Sequence, residues 1–236
     1  MLKNLLLAAA ALAVFSNSAE AKSTSIFAGT SFTEDSDYTY IGGVTALNSD
    51  LDKDGFLARA LIGAGGYDYS RTPSPSVDGD VISGDIMVGY QKFFGDNPLT
   101  ASRITLFAGI DHQNHDLSPN DPANQVNGSE TGFKTQLEAE FKPTKTTQFD
   151  ILGSYSTAFD TYWVKTQFGC NALGVNIGPE LAFLGNEAFD QQRYGLFVNQ
   201  INLVNTLDLG ISAGYADSSR RGDNGLYGEV GLTYSF

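Results

Sequence analysis

Gly225-Leu226-Tyr227-Gly228-Glu229-Val230-Gly231-Leu232-Thr233-Tyr234-Ser235-Phe236 closes the sequence. Side chains of a strand alternate between faces, so Leu226, Gly228, Val230, Leu232, Tyr234 and Phe236 share one face. Tyr227, Glu229, Gly231, Thr233 and Ser235 share the other. One face is greasy and one polar, and the segment stops on an aromatic residue. That is the pattern of the last strand of a bacterial outer-membrane barrel. The expectation is that it pairs with Ser25–Phe32 to close a cylinder, and that Phe236 is the handle for the barrel assembly machinery.

The same alternation recurs upstream. Ile104, Leu106, Ala108 and Ile110 oppose Thr105, Phe107, Gly109 and Asp111. Phe133, Thr135, Leu137, Ala139 and Phe141 oppose Lys134, Gln136, Glu138 and Glu140. Leu173, Val175, Ile177, Pro179, Leu181 and Phe183 oppose Gly174, Asn176, Gly178, Glu180 and Ala182. Leu207, Leu209, Ile211, Ala213 and Tyr215 oppose Asp208, Gly210, Ser212 and Gly214. Each segment has the length, about 9–11 residues, that a tilted strand needs to cross a bilayer. Backbone groups in lipid must all be paired, which demands closure. The expected fold is therefore all-β: a closed antiparallel transmembrane β-barrel of about 12 strands (10–14). Alternation is muddled over Tyr162–Gly169 and Arg193–Ile201. Tyr38, Tyr40, Phe93, Phe94, Phe141, Tyr162, Trp163, Tyr215, Tyr234 and Phe236 fall near strand ends and are expected to form aromatic girdles.

The breaks take sides. With the N-terminus in the periplasm, 34–37, 70–80, 118–130, 157–160, 185–192 and 217–224 face outward. The breaks 48–55, 95–102, 143–146, 170–172 and 203–205 face the periplasm. The longest fall outside, as such barrels prefer.

Residues 1–21 read as a cleaved export signal. Lys3 supplies a basic start, Leu5–Phe15 an apolar run, and Ala19-Glu20-Ala21 a small-x-small cleavage site. The expected domains are thus 1–21 signal peptide and 22–236 barrel, placed in the outer membrane of a Gram-negative bacterium against its lipid. The chain carries 14 Lys+Arg against 27 Asp+Glu, a net charge of −13, which excludes a phosphate-binding basic face and hence nucleic acid. Its single cysteine, Cys170, forms no intramolecular disulfide.

Motifs that carry chemistry are weak. His112 and His115, three apart, fall on opposite faces of a strand, which spoils a two-histidine metal site. Nothing pairs either with Asp116 and Ser118 as a nucleophilic centre. Asn120–Glu130 lacks the spacing of a calcium loop. Gly63-Ala64-Gly65-Gly66 has no following Lys-Ser/Thr, so it is no phosphate loop. Arg221-Gly222-Asp223 matches an adhesion tripeptide in letters, and reads as turn chemistry. No catalytic, cofactor-binding or metal residue is expected. Alternation points Arg59, Asp85, Lys134, Glu138, Glu140, Lys165, Glu180, Asp208 and Glu229 inward. They either line a pore or pair with one another and plug a narrow lumen; both readings stand.

Longer runs carry a resemblance. They include Tyr40-Ile41-Gly42-Gly43-Val44-Thr45-Ala46-Leu47-Asn48, Gly89-Tyr90-Gln91-Lys92-Phe93-Phe94-Gly95 and Asp111-His112-Gln113-Asn114-His115-Asp116-Leu117-Ser118-Pro119-Asn120-Asp121-Pro122. Further on come Leu152–Asp160, Ile177-Gly178-Pro179-Glu180, Leu184–Arg193 and Ser212–Asp217. Over nearly the whole chain after the signal, these resemble the cellulose biosynthesis protein BcsS family of alphaproteobacteria. The resemblance implies a non-enzymatic outer-membrane accessory of cellulose production or export. Glucan and other cellulose-synthesis components are then the expected partners. Alternatives from other classes are a passive small-solute, porin-like channel and a rim hydrolase or acyltransferase on envelope lipid or glycan. The resemblance also recasts the outer breaks. Phe159, Asp160, Asn186, Glu187, Phe189 and Arg193 are expected at the rim, where rings stack on sugar faces and polar groups meet sugar edges.

Overall fold

The computed structural model describes residues 22–48, 50–70, 76–95, 97, 100–204, 206–219 and 224–236. The expected export signal, residues 1–21, and Arg221-Gly222-Asp223 lie outside the described residues. Twelve strands run in order: β1 (Thr24–Phe32), β2 (Ser36–Ala46), β3 (Gly55–Tyr69), β4 (Val77–Phe94), β5 (Ser102–Ser118) and β6 (Gly128–Thr144), then β7 (Thr147–Ser156), β8 (Tyr162–Ala172), β9 (Val175–Asn186), β10 (Phe189–Val204), β11 (Leu207–Ser218) and β12 (Gly225–Ser235). Each pairs antiparallel with the next, and β12 returns to β1. The expected closed barrel and its seam are present. Ser25 stands opposite Ser235 and Phe32 opposite Gly228. Thr24 and Phe236 exchange both backbone hydrogen bonds at 2.9 Å. Closure leaves no unpaired edge, which a wall facing lipid requires.

Pleat parity sorts the residues as the pattern predicts. Phe56, Ile62, Ile82, Ile86, Val88, Leu106, Ile110, Phe133, Leu196 and Leu226 are exposed on the outside of the wall. Arg59, Asp85, Thr105, Asp111, Gln136 and Glu180 are buried inside. This inversion, greasy out and polar in, marks a barrel whose solvent is hydrocarbon.

Several strands are longer than a bilayer needs. β4 has 18 residues, and β5 and β6 have 17 each. Beyond Ile82, Ile110 and Phe133 their outward positions turn polar: Asp80, Asp78, His112, Asn114, Asp116, Thr131 and Ser129. The hairpins of β3–β6 therefore rise past the greasy belt at the end of the barrel distal to the two chain termini. The breaks are shorter than expected there. The turn joining β9 and β10 is only residues 187–188, and β4 already begins at Val77. A 3-10 turn, Ala158–Asp160, forms part of the β7–β8 connection.

Four girdle assignments, Tyr38, Tyr40, Trp163 and Phe93, are corrected. Tyr38 donates or accepts a 2.6 Å hydrogen bond with Ser83 inside the barrel, and the Tyr40 ring lies 6.4 Å from Phe27, which faces the lumen against Arg59. Trp163 shares the inward face with Lys165, whose Nζ is 5.5 Å from its ring. Phe93 has the parity of buried Gln91 and also leaves the girdle. Nearness to a strand end does not decide the face of the wall; parity does. Inward glycines make room for these rings. A Cβ on Gly63 would stand 2.1 Å from Tyr38 Oη, and one on Gly195 would stand 2.1 Å from Tyr227 Oη. Gly63 is thus a floor for the Tyr38 ring, the packing that rescues a bare stretch of sheet.

Both muddled segments fall within strands, β8 and β10, and β10 carries an identifiable irregularity. β10 slips register between Val198 and Ile201 and again between Asn202 and Val204, and Gln200 sits at φ 60°. A bulge inserts an extra residue, so strict alternation breaks there.

Candidate functional site

The lumen gathers most of the sequence-flagged charges. Strand β4 presents Asp85 inward; Arg59 Nη1 from β3 donates to it at 2.6 Å and Lys134 Nζ from β6 at 2.7 Å. Lys134 also lies 3.7 Å from Asp111, which accepts from Gln113 Nε2 at 2.8 Å. This makes one ionic cluster on the β3–β6 side.

A second cluster joins β8, β9, β10 and β12. Lys165 Nζ pairs with Glu229 and lies 3.5 Å from Glu180. Arg193 Nη1 donates to Glu229 at 3.1 Å and to Ser31 at 2.7 Å, while its Nε donates to Gln191 at 2.7 Å. Glu180 accepts from Tyr227 Oη at 3.0 Å and from Gln167. Arg193 stacks on the Tyr227 ring at 5.2 Å. A round section of twelve tilted strands would hold the walls of β8 and β12, four strands apart, roughly 20 Å apart. A lysine and a glutamate together do not reach that far. The section is therefore flattened where Lys165 meets Glu229, and the pair bridges the lumen.

The ends are covered as well. At the distal end, Tyr69 Oη donates to Asp121 at 2.9 Å and accepts from Asn124 Nδ2 at 2.9 Å, tying residues 119–127 down over the mouth. Tyr69, Val77 and Leu117 form an apolar cluster beneath. At the terminal end, Gln91 Nε2 donates to Leu51 O at 3.0 Å and Lys53 O at 2.6 Å. Leu51 packs on Leu57, Met87 and Phe107. On that connection the Lys92 ammonium, helped by the Phe93 N–H, holds the Asp54 carboxyl below its usual range.

Of the two readings for the inward charges, pairing is what the geometry displays for Arg59, Asp85, Lys134, Lys165, Glu180 and Glu229. Glu138 accepts from Gln136 Nε2 at 2.7 Å, and Glu140 lies 2.9 Å from Lys142 Nζ. Asp208 stands apart near the terminal end, receiving only a 3.3 Å contact from Asn202 among the described residues.

The rim set divides. Arg193 is corrected: it is buried in the lumen on β10, four residues inside the strand start. Phe159 is also corrected. It is 4 % exposed, with its ring 5.0 Å from His115, so its face is unavailable to a sugar. It turns inward because the chain there adopts left-handed backbone at Phe159 (φ 52°) and Asp160 (φ 49°). Asp160 and Glu187 stay exposed at the rim. Asp160 accepts from Tyr155 Oη at 2.6 Å, and Glu187 N donates to Phe159 O at 3.1 Å. Asn186 caps its hairpin by accepting from Ala188 N at 2.9 Å and Phe189 N at 3.2 Å. Phe189 is half-buried beside it.

His115 and His112 do fall on opposite faces. His115 is buried with Tyr67 Oη at 3.1 Å, whereas His112 meets Thr131 on the outside at 2.7 Å. Ser118 and Asp116 have the outward parity of His112, so the wall separates them from His115. Residues passed over by the charge reading are Asp111, Asp150, Arg103 and the amides Gln113, Gln136, Gln148 and Gln167. All share the inward parity that selected the others. Amides carry no charge and so escape a search for charge.

Among solved structures the chain is similar to the KdgM porin in complex with disordered oligogalacturonate, at TM-score 0.49 and 11 % identity, covering 90 % of this chain and 99 % of that one. It is also similar to the translocator domain of the autotransporter NalP from Neisseria meningitidis, at TM-score 0.48 and 13 % identity, covering 99 % and 94 %. Likenesses at this level carry no argument about function. No curated protein matches the chain. The family model described as cellulose biosynthesis protein BcsS matches residues 25–236. That match spans every strand but the first residue of β1, and the chain belongs to the cellulose biosynthesis protein BcsS family.

Proposed function

We propose that this chain is a non-enzymatic outer-membrane accessory of bacterial cellulose production. It is exported by residues 1–21 and inserted with its termini in the periplasm and its β3–β6 hairpins outside. The observation that carries the reading is the family match over residues 25–236, joined to a lumen bridged by Lys165–Glu229. A passive solute channel fits less well, because ion pairs and hydrogen bonds cross the space that a solute would occupy. A rim hydrolase lacks its centre, since His115 and Ser118 face opposite sides of the wall. The barrel acts instead as a fixed membrane component of the cellulose machinery.

The test is deletion of the chain in its host, with cellulose measured as acid-resistant glucan and output restored by the wild-type barrel. Undiminished and correctly localised cellulose in the deletion strain would sink the proposal. A steady open conductance of the purified barrel in planar bilayers, insensitive to cello-oligosaccharide, would favour the channel. An unchanged envelope lipid and glycan profile in His115→Ala is expected if no hydrolytic or acyl-transfer step occurs.

A further inference from the structure

The outward face of the wall is uneven. Register sets its side chains in rows: Leu106 stands opposite Leu137, Leu137 opposite Gly153, and Gly153 opposite Val164. In the next row toward the distal end, Thr135 stands opposite Tyr155 and Tyr155 opposite Tyr162. Large side chains thus surround two small ones, Thr135 and Gly153, and leave an open groove of about 550 Å³ on the outside of the barrel. The glycine floor is bare. A Cβ on Gly153 would find its nearest neighbour, Val164, at 3.9 Å, whereas one on outward Gly228 would stand 2.5 Å from the Phe32 ring that covers it. Among the described residues, no side chain fills the dent over Gly153.

The setting decides what fills it. The groove lies in the greasy belt, so its surroundings are hydrocarbon. Lipid tails are as apolar as leucine, so no hydrophobic force drives a chain into the dent; the gain is the extra dispersion contact of a chain held on three sides instead of one. Discrimination between lipids falls to the rim above. Tyr155 and Tyr162, which line the groove, donate to Asp160 at 2.6 Å and to Asp190 at 2.7 Å. The groove therefore ends beneath the exposed carboxylates of Asp160, Asp190 and Glu187. The exposed lysines among the described residues, Lys22, Lys53, Lys92 and Lys145, all lie at the terminal end, and no described arginine is exposed. A headgroup of net negative charge is repelled at that rim, and an ammonium is attracted. We propose that this groove seats an acyl chain of a phospholipid whose headgroup carries an ammonium, with the ammonium beside Asp160 and Glu187. The inference rests on the membrane placement of the wall and is independent of any part in cellulose production.

The experiment reconstitutes the full barrel in vesicles of equal parts phosphatidylethanolamine and phosphatidylglycerol, with one lipid or the other carrying a diazirine on its acyl chain. Photo-cross-links are then mapped to residues. Phosphatidylethanolamine adducts are expected on Leu106, Leu137 and Val164 at about threefold or more the yield on Ile62 and Leu226, which are exposed elsewhere on the wall. Gly153→Leu fills the groove and should lower its adducts about threefold or more, while Ala60→Leu, exposed on β3, should leave them unchanged. Folding is verified by heat-modifiable migration, and Thr135→Leu replaces Gly153→Leu should the latter not fold. The phosphatidylglycerol probe should give about a third of the yield or less in wild type, and should reach parity when Asp160→Asn is combined with Glu187→Gln. Even yields around the belt overturn the seat, as do unchanged adducts in the folded filling variant. Equal yields from the two probes in wild type overturn the ammonium preference. Displacement of the phosphatidylethanolamine adducts by added lipid A assigns the groove to a phosphate-rich lipid and overturns the proposal. Exclusion of both probes from the groove, with dimeric migration in mild detergent, assigns it to a second copy and overturns it as well.

Discussion

Glu229→Ala removes the acceptor that both Lys165 and Arg193 use to bridge the lumen. Breaking a buried ion pair from one side costs about 3–5 kcal/mol, because the partner is left charged and unpaired. Two features lower that figure. The Glu229 side chain is 16 % exposed, so water reaches it, and both cations keep other partners: Lys165 has Glu180 at 3.5 Å, and Arg193 has Ser31 and Gln191 at 2.7 Å each. The expected loss is about 2–3 kcal/mol of unfolding free energy. Urea titration of the detergent-solubilised barrel, followed by Trp163 emission, measures it from the shift in midpoint at constant slope. Lys165→Ala and the double variant complete a cycle. The coupling between the two positions is expected at about 1–3 kcal/mol, the range for residues in direct contact. In planar bilayers the Glu229→Ala barrel should pass more current than wild type, since the bridge that narrows the section is gone. A cost below about 0.5 kcal/mol with no coupling is the behaviour of a solvated surface pair. That outcome, with unchanged conductance, would refute the claim that these charges close the lumen.

Three further outcomes are expected. Deleting Phe236 removes both backbone bonds to Thr24 and the ring contact to Tyr234 at 5.5 Å, so the folded fraction in outer-membrane preparations should fall; normal levels would count against the seam as the closing element. Gly195→Ala puts a methyl 2.1 Å from Tyr227 Oη and 2.5 Å from Ala213 O, and should cost about 1–3 kcal/mol in the same urea titration. Cys170 is exposed on the outward face of β8 near the terminal end; a membrane-impermeant maleimide should label it only after the outer membrane is permeabilised, and labelling of intact cells would invert the proposed orientation.

The barrel was legible because its signal is binary. Alternation of side chains on Ile104–Asp111 or Leu207–Tyr215 needs no partner to be read, and the terminal strand declares which face is greasy. The seam between Ser25–Phe32 and Gly225–Phe236 follows once both ends of the sheet must be paired. Where reading failed, the missing information was three-dimensional. Trp163 and Tyr38 sit near strand ends, as girdle residues do, yet their faces depend on register counted from a neighbouring residue. The sequence also shows no reason why Phe159 turns inward; that follows from two successive left-handed residues, neither of them glycine. Arg193 follows residues 185–192, which read as an outer break, whereas β10 already begins at Phe189 and carries Arg193 inside the barrel.

The choice of ions rather than greasy side chains to fill this lumen has its own logic. Twelve strands enclose more space than side chains from one wall can fill, unlike an eight-strand barrel. An apolar filling would need large residues at nearly every inward position, which would erase the alternation that tells lipid side from lumen side. Long charged side chains avoid that conflict. Lys165 and Arg193 reach from β8 and β10, meet at Glu229 on β12, and draw the walls together while keeping the inward pattern polar. Where the small glycines stand, rings such as Tyr38 and Tyr227 lie over them and occupy the remaining room. The result is a wall that lipid reads as greasy and a middle held by specific pairs.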